Sequence, residues 1–501
     1  MNGRQMLFAM VCSNASYLYR RGSLAGRLRA KKSVDRLIAD SELPQFRLNK
    51  SLGPWSMGAI GLGAIIGSGI YFLPGVAAKG VLGSRPAGPS LVLSYLVPAL
   101  VCLLIGMCYA ELASIMPLAG SVYTWSYAAM GELAAWMTGW IVILEYAVAN
   151  VAIASFAGYL LRGRLADFGI LVPDRWSLPP LAAGRWTGMY FNLPAFLALV
   201  IVTVISSMGV RFLSRINIVM VALKAGGILF FLALGGAMVR PANWRPFAPG
   251  GSRAIVLAGA ALFFSFIGFD CVSVAAEESK TPERDVPAGI LGSLGVSTVL
   301  YMAVTAVVTG MVPYTAFTSY RGSDGVALSA LRAAGAGGVA QAVVTAGMLI
   351  GMFSLMLVIQ YSQSRVWFAM ARDGMLPGVF SWLHPKTRAP RWCAWIGGLA
   401  LAIPAGLIDV GEVGDLASIG ALAAFLMVAV CLILLRRSEP HLVRRFKVPW
   451  VPWLPLAGLV GVIGLMLALS PAIWLRFGIW LAVGLAVYFS YGYRHSTLAE
   501  Q

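Results

Sequence analysis

An all-α polytopic membrane protein of about twelve helices is predicted for this chain, on three observations. Its 501 residues are 59% hydrophobic and 12% charged, where soluble domains carry about a quarter of their residues charged. Apolar runs of about 20 residues recur, each able to cross a hydrocarbon core of roughly 30 Å. Most of the 38 Lys and Arg fall in alternate connections. The spans are placed near 56–78, 88–111, 125–160, 191–210, 215–239, 253–279, 287–312, 338–370, 392–408, 414–435, 450–470 and 473–492. The connections between them are too short to bury a core, so no soluble domain is expected.

The net charge of +18 reads as topology, not as a nucleic-acid partner. With both termini cytoplasmic, the basic residues concentrate on the cytoplasmic side, and Arg20 to Lys50 carries most of that bias. The same segment suits anionic lipid headgroups. The apolar patch around Met6–Cys12 is short, lacks a cleavage site and precedes basic residues, which argues against a signal peptide. Cys12, Cys102, Cys108, Cys271, Cys393 and Cys431 show neither zinc nor disulfide spacing and read as small buried hydrophobes. His384, His441 and His495 are placed in loops or the tail, so no metal or organic cofactor is expected.

The first span carries the densest chemical signal. From Gly58 to Gly75 it reads G-A-I-G-L-G-A-I-I-G-S-G-I-Y-F-L-P-G. Each glycine costs a helix interior about 1 kcal/mol against alanine. Two readings fit: the glycines let neighbouring helices pack closely, or Gly67-Ser68-Gly69 opens the helix and frees backbone groups that a ligand, water or protein must satisfy. Five spans later, A-A-L-F-F-S-F-I-G-F-D-C places Gly268 and Asp270 in an apolar stretch. An odd-numbered repeat inverts its second copy and pairs two such breaks near the bilayer midplane, which favours the opened-helix reading. Amides at Gly67, Ser68 and Gly69 suit a carboxylate. Freed carbonyls near Ile65, Phe264 and Ile267 suit an ammonium. An α-amino acid offers both groups.

Charges within spans are costly and need a reason. Lys224, deep in I-V-M-V-A-L-K-A-G-G, is either a structural donor to frayed carbonyls or a proton-coupling site beside the first break. Glu145, in G-W-I-V-I-L-E-Y, either braces helices or lies at the pocket. Asp270 is a gate carboxylate or a cap of the second half-helix. Glu277, Glu278, Lys280, Glu283, Arg284 and Asp285 read mostly as a solvated face with a minor gating share, and Glu111 likewise. Phe264 either covers a ligand or packs in the core. Met352 and Phe353 are expected to face the site and leave little room for a long cationic side chain, which favours small neutral amino acids such as alanine. No nucleophile–base pair or metal cluster marks an enzyme.

These stretches, with K-S-V-D-R-L-I-A-D-S-E-L-P, C-Y-A-E-L-A-S-I-M-P-L-A-G-S-V-Y, A-A-E-E-S-K-T-P-E-R-D-V-P and A-M-A-R-D-G-M-L-P, resemble the amino acid–polyamine–organocation superfamily. Within it the likeness is to the cationic amino acid transporter branch and its bacterial permeases, from about Lys32 to the last span. The resemblance implies two inverted five-helix repeats with helices 1 and 6 unwound, at 53–240 and 253–436. A cytoplasmic segment at 1–52, helices 11 and 12 at 437–493 and a cytoplasmic tail at 494–501 complete the division. It also implies import of L-amino acids across the cytoplasmic membrane by proton symport and alternating access, with the proton as coupling ion. Ile65, Ser68 and Gly69 fall where that family holds the substrate backbone in the first helix, and Phe264 and Ile267 where it does so in the sixth. Lys224 falls on the proton-linked lysine, and Glu145 on an acidic position near the pocket. Tyr71 departs from the usual phenylalanine. Amino acid/polyamine exchange, or a nutrient sensor of the same fold, are the alternatives.

Overall fold

The structure, a computed structural model, describes residues 26, 28–67, 69–78, 85–167, 169–182, 184–319, 325–409 and 414–497. Among these, nine helices are long and apolar enough to cross a membrane, and three shorter apolar helices accompany them, Leu193–Ser207, Arg391–Leu407 and Trp453–Leu467. The twelve follow the order read from hydropathy. The third differs: Val122–Ala129 is a separate, wholly buried helix, and the span runs from Glu132 to Asp167. Gly131, at φ +107, turns the chain between them, and a Cβ there would meet the Arg29 carbonyl at 2.7 Å.

Both glycine-rich spans are broken. The first begins at Pro54, where the missing N–H costs nothing, and runs to Ile65. Ile66 then turns extended, at ψ 92, and helix resumes over Gly69–Ala78. The sixth is α-helical over Gly251–Leu262 and tightens to 3₁₀ geometry over Phe263–Phe266. It turns extended at Ile267 and restarts over Cys271–Val274.

The first-span glycines serve both purposes that the sequence allowed. A Cβ at Gly63 would lie 2.7 Å from Asn217 Oδ1 of the fifth span (Val210–Gly236), and one at Gly61 would strike Ser293 of the seventh (Pro282–Met311). Those two permit close packing, whereas Gly67 and Gly69 flank the opened turn. This central helix touches the fifth, sixth, seventh and eighth spans, so its break lies inside the bundle.

One end of the molecule is tied by buried ion pairs. Glu277 accepts from Arg372 Nη1 at 3.1 Å and from the Ala119 amide at 2.8 Å. Glu278 accepts from Arg365 Nε at 3.1 Å and from the Tyr361 hydroxyl at 2.5 Å. Glu111 is paired with Arg436 at 2.6 Å, and Asp285 takes the Thr281 hydroxyl. These four acids are therefore not a solvated face: each is 5% exposed or less. Buried carboxylates persist when paired and hydrogen-bonded, and the partners of Glu277, Glu278 and Glu111 come from distant segments, whereas that of Asp285 is local. Lys32 joins the same end through Asp373 at 2.6 Å and Asp40 at 2.8 Å.

Candidate functional site

The two breaks meet. Gly268 adopts φ +114, a backbone region open to glycine without steric cost, and a Cβ there would sit 2.7 Å from the Ala64 carbonyl oxygen. A Cβ at Gly69 would lie 3.0 Å from Ser265 Oγ. The breaks are also joined by one buried hydroxyl. Tyr301 Oη, from the seventh span, lies 2.7 Å from both the Ile65 and the Ser265 carbonyl oxygens. It holds one proton and so shares it between the two helices.

Beside this junction is a small, partly open cavity of about 10 Å³, room for about one water-sized molecule. One wall is made by the broken spans: Ile65, Gly69, Phe264, Ser265 and Ile267. The facing wall is made by unbroken ones: Ala149 and Ile153 of the third span, and Leu355 and Ile359 of the eighth (Gly338–Arg372). No charged side chain is among these lining residues. Helices whose backbone is internally bonded can offer only side chains, whereas the broken wall also offers main-chain polar groups.

Ile65, Gly69, Phe264 and Ile267 of the expected residues thus line one cavity. Ser68 lies outside the described residues. The Gly67 amide is not open to a carboxylate as expected, because it closes a tight turn onto the Ile65 carbonyl at 3.0 Å. A Cβ on Gly67 would overlap Leu355. Gly69, the first residue of the second half-helix, presents the amide end.

Met352 is buried but is not a lining residue, and Phe353 is half-buried. One and two turns further along the eighth span, Leu355 and Ile359 reach the cavity instead. Glu145, 1% exposed, packs against Gly420, where a Cβ would lie 3.2 Å from its own. Neither of its oxygens has a hydrogen-bond partner among the described residues. Ala149, one turn on, lines the cavity in its place. Asp270 makes no side-chain cap to the helix it precedes; one oxygen accepts the Tyr146 hydroxyl. Its place at the sixth-span break keeps it beside the hinge.

Lys224 is 1% exposed, and its ammonium sits on the end of the first half-helix. Nζ donates to the carbonyls of Leu62 at 2.9 Å, Gly63 at 3.1 Å and Ile66 at 2.7 Å. Ser354 Oγ lies at 3.4 Å and donates in turn to Asn217 Oδ1 at 2.9 Å, while Asn217 Nδ2 holds the Ala59 carbonyl at 2.9 Å. The fifth span therefore bonds the Gly63 and Ile66 carbonyls, whose regular helical partners the break removes, and Ser354 of the eighth span supports the two fifth-span side chains.

Sequence reasoning missed Tyr301, Asn217, Ser354 and the wall of Ala149, Ile153, Leu355 and Ile359. Tyr301 and Asn217 carried a signal, since a polar group within a span needs a partner. The four apolar residues carried none, being ordinary for any membrane helix.

Two broken helices meeting at an apolar cavity within a twelve-helix membrane bundle define a membrane transport protein, not an enzyme. The amino acid permease family model matches residues 52–489, and the chain belongs to that family. It is 40% identical to the branched-chain amino acid permease of Bacillus subtilis, over 95% of this chain and all of that protein. It is 39% identical to the methylthioribose transporter of Bacillus subtilis, over 93% and 98% respectively. With the vacuolar cationic amino acid transporter 4 of Arabidopsis thaliana it shares 33% identity, over 82% and 67%.

Proposed function

We propose that this protein imports neutral aliphatic L-amino acids, from alanine to the branched-chain ones, across the cytoplasmic membrane by proton symport. The observation that carries the reading is the cavity itself: main-chain groups of two touching breaks on one wall, hydrocarbon on the other. The amide end at Gly69 suits the substrate carboxylate. Main-chain carbonyls around Ile65 and Phe264–Ile267 suit its ammonium. An arginine or lysine side chain would meet no acidic partner on the lining, and a buried unpaired charge is strongly disfavoured. The name of the branched-chain relative agrees with this choice. The methylthioribose and cationic names make those compounds the natural competitors to test.

In this reading Lys224 is the proton-coupling group. Its ammonium bonds hold the carbonyl end of the first half-helix; losing the proton removes a donor and the charge, and so loosens that end. Asp270, at the second break and bonded to Tyr146, serves the gate. The chain divides into five-helix repeats of opposite topology at 53–240 and 253–436, followed by two added helices at 437–493, with both termini in the cytoplasm as the basic residues direct. Access then alternates by movement of the broken spans against the unbroken ones.

Uptake of radiolabelled alanine, leucine and arginine into proteoliposomes, with and without an imposed pH gradient, tests the reading. Gradient-driven accumulation of alanine and leucine, with little arginine, is expected. Uptake indifferent to the gradient would remove symport, and exchange visible only as counterflow would support the antiport alternative. Arginine uptake that alanine does not displace would remove the neutral-substrate claim.

A further inference from the structure

The connection between the tenth span (Gly414–Ser438) and the eleventh (Trp453–Leu467) sorts its basic residues into two sets. Arg436 and Arg444 turn inward onto the buried Glu111, at 2.6 and 3.3 Å. Arg444 also ties the connection to itself, donating to the Glu439 and Leu442 carbonyls at 2.8 Å each. The Val448 amide closes on the Glu111 carboxylate at 2.6 Å, so the segment is a fixed hook. Arg437, Arg445 and Lys447 are exposed on its outside. Arg437 and Lys447 have no acidic partner among the described residues. Arg445, with its side chain 70% exposed, has Glu283 at 3.7 Å, and Glu439 pairs with His441.

Apolar side chains are interleaved with this outer set. Val443, Trp450 and Trp453 are 82%, 80% and 74% exposed. The eleventh helix has 15 residues and is about 22 Å long at 1.5 Å per residue, short of a hydrocarbon core of roughly 30 Å. Residues flanking it therefore complete the crossing, and 449–452 run through the headgroup layer, where tryptophan is at home. We infer that the hook binds an anionic phospholipid of the surrounding bilayer. Arg437, Arg445 and Lys447 hold the headgroup phosphate, and Val443, Trp450 and Trp453 pack on the glycerol and the upper acyl carbons. Glu111 has already fixed the segment, so little ordering is left to oppose binding. The inference is independent of which substrate is carried.

Native mass spectrometry of the detergent-purified protein, titrated with phosphatidylglycerol or with phosphatidylcholine of the same chains, tests it. The first phosphatidylglycerol binds at least tenfold more tightly than phosphatidylcholine. In the triple variant Arg437→Gln, Arg445→Gln, Lys447→Gln that affinity falls on the order of 100-fold, about fivefold for each basic residue. Arg436 and Arg444 are kept, so Glu111 stays paired and the variant folds. A control that removes three other exposed bases, Arg211→Gln, Arg215→Gln, Lys386→Gln, keeps the wild-type affinity. Replacing Trp450 and Trp453 with alanine also weakens phosphatidylglycerol, and excess glycerol phosphate does not displace it. An equal loss in the two charge variants would reduce the effect to net charge and overturn the site. Equal binding of the two lipids, or displacement by glycerol phosphate, would overturn the assignment to an anionic membrane lipid.

Discussion

Replacing Lys224 with alanine removes the group on which the opened first helix ends. The helix stops at Ile65, and the Gly67 amide, the regular partner of the Gly63 carbonyl, donates to Ile65 instead. The Leu62 carbonyl keeps the Ile66 amide at 3.1 Å. Those of Gly63 and Ile66 lose the ammonium at 3.1 and 2.7 Å. A buried acceptor left unsatisfied costs about 1–3 kcal/mol, so these two set a scale of about 2–6 kcal/mol. Water entering the space recovers part of it, and removing a desolvated charge offsets more, so overall stability falls little. The geometry of the break takes the effect. A rise of about 3 kcal/mol in the transport barrier corresponds to on the order of a 100-fold fall in rate, at 1.36 kcal/mol per tenfold. The assay is accumulation of labelled alanine in proteoliposomes under a pH gradient, with a thermal-shift measurement to establish that the variant binds substrate. A Lys224→Ala protein that still concentrates alanine under the gradient would refute both the coupling role and the reasoning from carbonyl satisfaction.

Three further outcomes follow from the same geometry. Gly67→Ala drives a methyl into Leu355, an overpacking cost of about 1–3 kcal/mol; uptake is lost, and the double variant with Leu355→Ala recovers part of it, whereas a fully active single variant would show that the close approach is dispensable. Tyr301→Phe removes the hydroxyl that clasps the Ile65 and Ser265 carbonyls together, so the breaks loosen and KM for alanine rises about tenfold on the scale of one hydrogen bond, while an unchanged KM would show that the clasp does not shape the site. Glu278→Gln leaves Arg365 buried without its counter-charge, which costs about 3–5 kcal/mol. The melting temperature in detergent drops accordingly, and an undiminished value would mean that the pair is solvated after all.

Much of the site was legible because its signals are local. A glycine cluster in an apolar run weakens a helix wherever it occurs, so Gly67-Ser68-Gly69 stood out as a packing face or a break, and Gly268 with Asp270 five spans on favoured the break. Lys224 stood out because a charge in a span is expensive in every fold. The acids at the end of the sixth span were misread for the opposite reason. Glu277 and Glu278 look like any polar flank of a membrane helix until Arg372 and Arg365, nearly ninety residues away or more, are folded against them.

The sequence by itself determined that this chain crosses a membrane about twelve times, where its helices open and which kind of ligand an opened backbone suits, because length, apolarity and glycine content act on neighbouring residues. Only the tertiary structure decided that the two breaks touch at Gly268 and Ala64, that Tyr301 clasps them, and that Ala149, Ile153, Leu355 and Ile359 face them. Those relations join segments from five spans, and hydrocarbon side chains carry no sign of which neighbour they will meet. Local sequence therefore indicated what an opened backbone can hold, while the packing of distant helices shaped the cavity beside it.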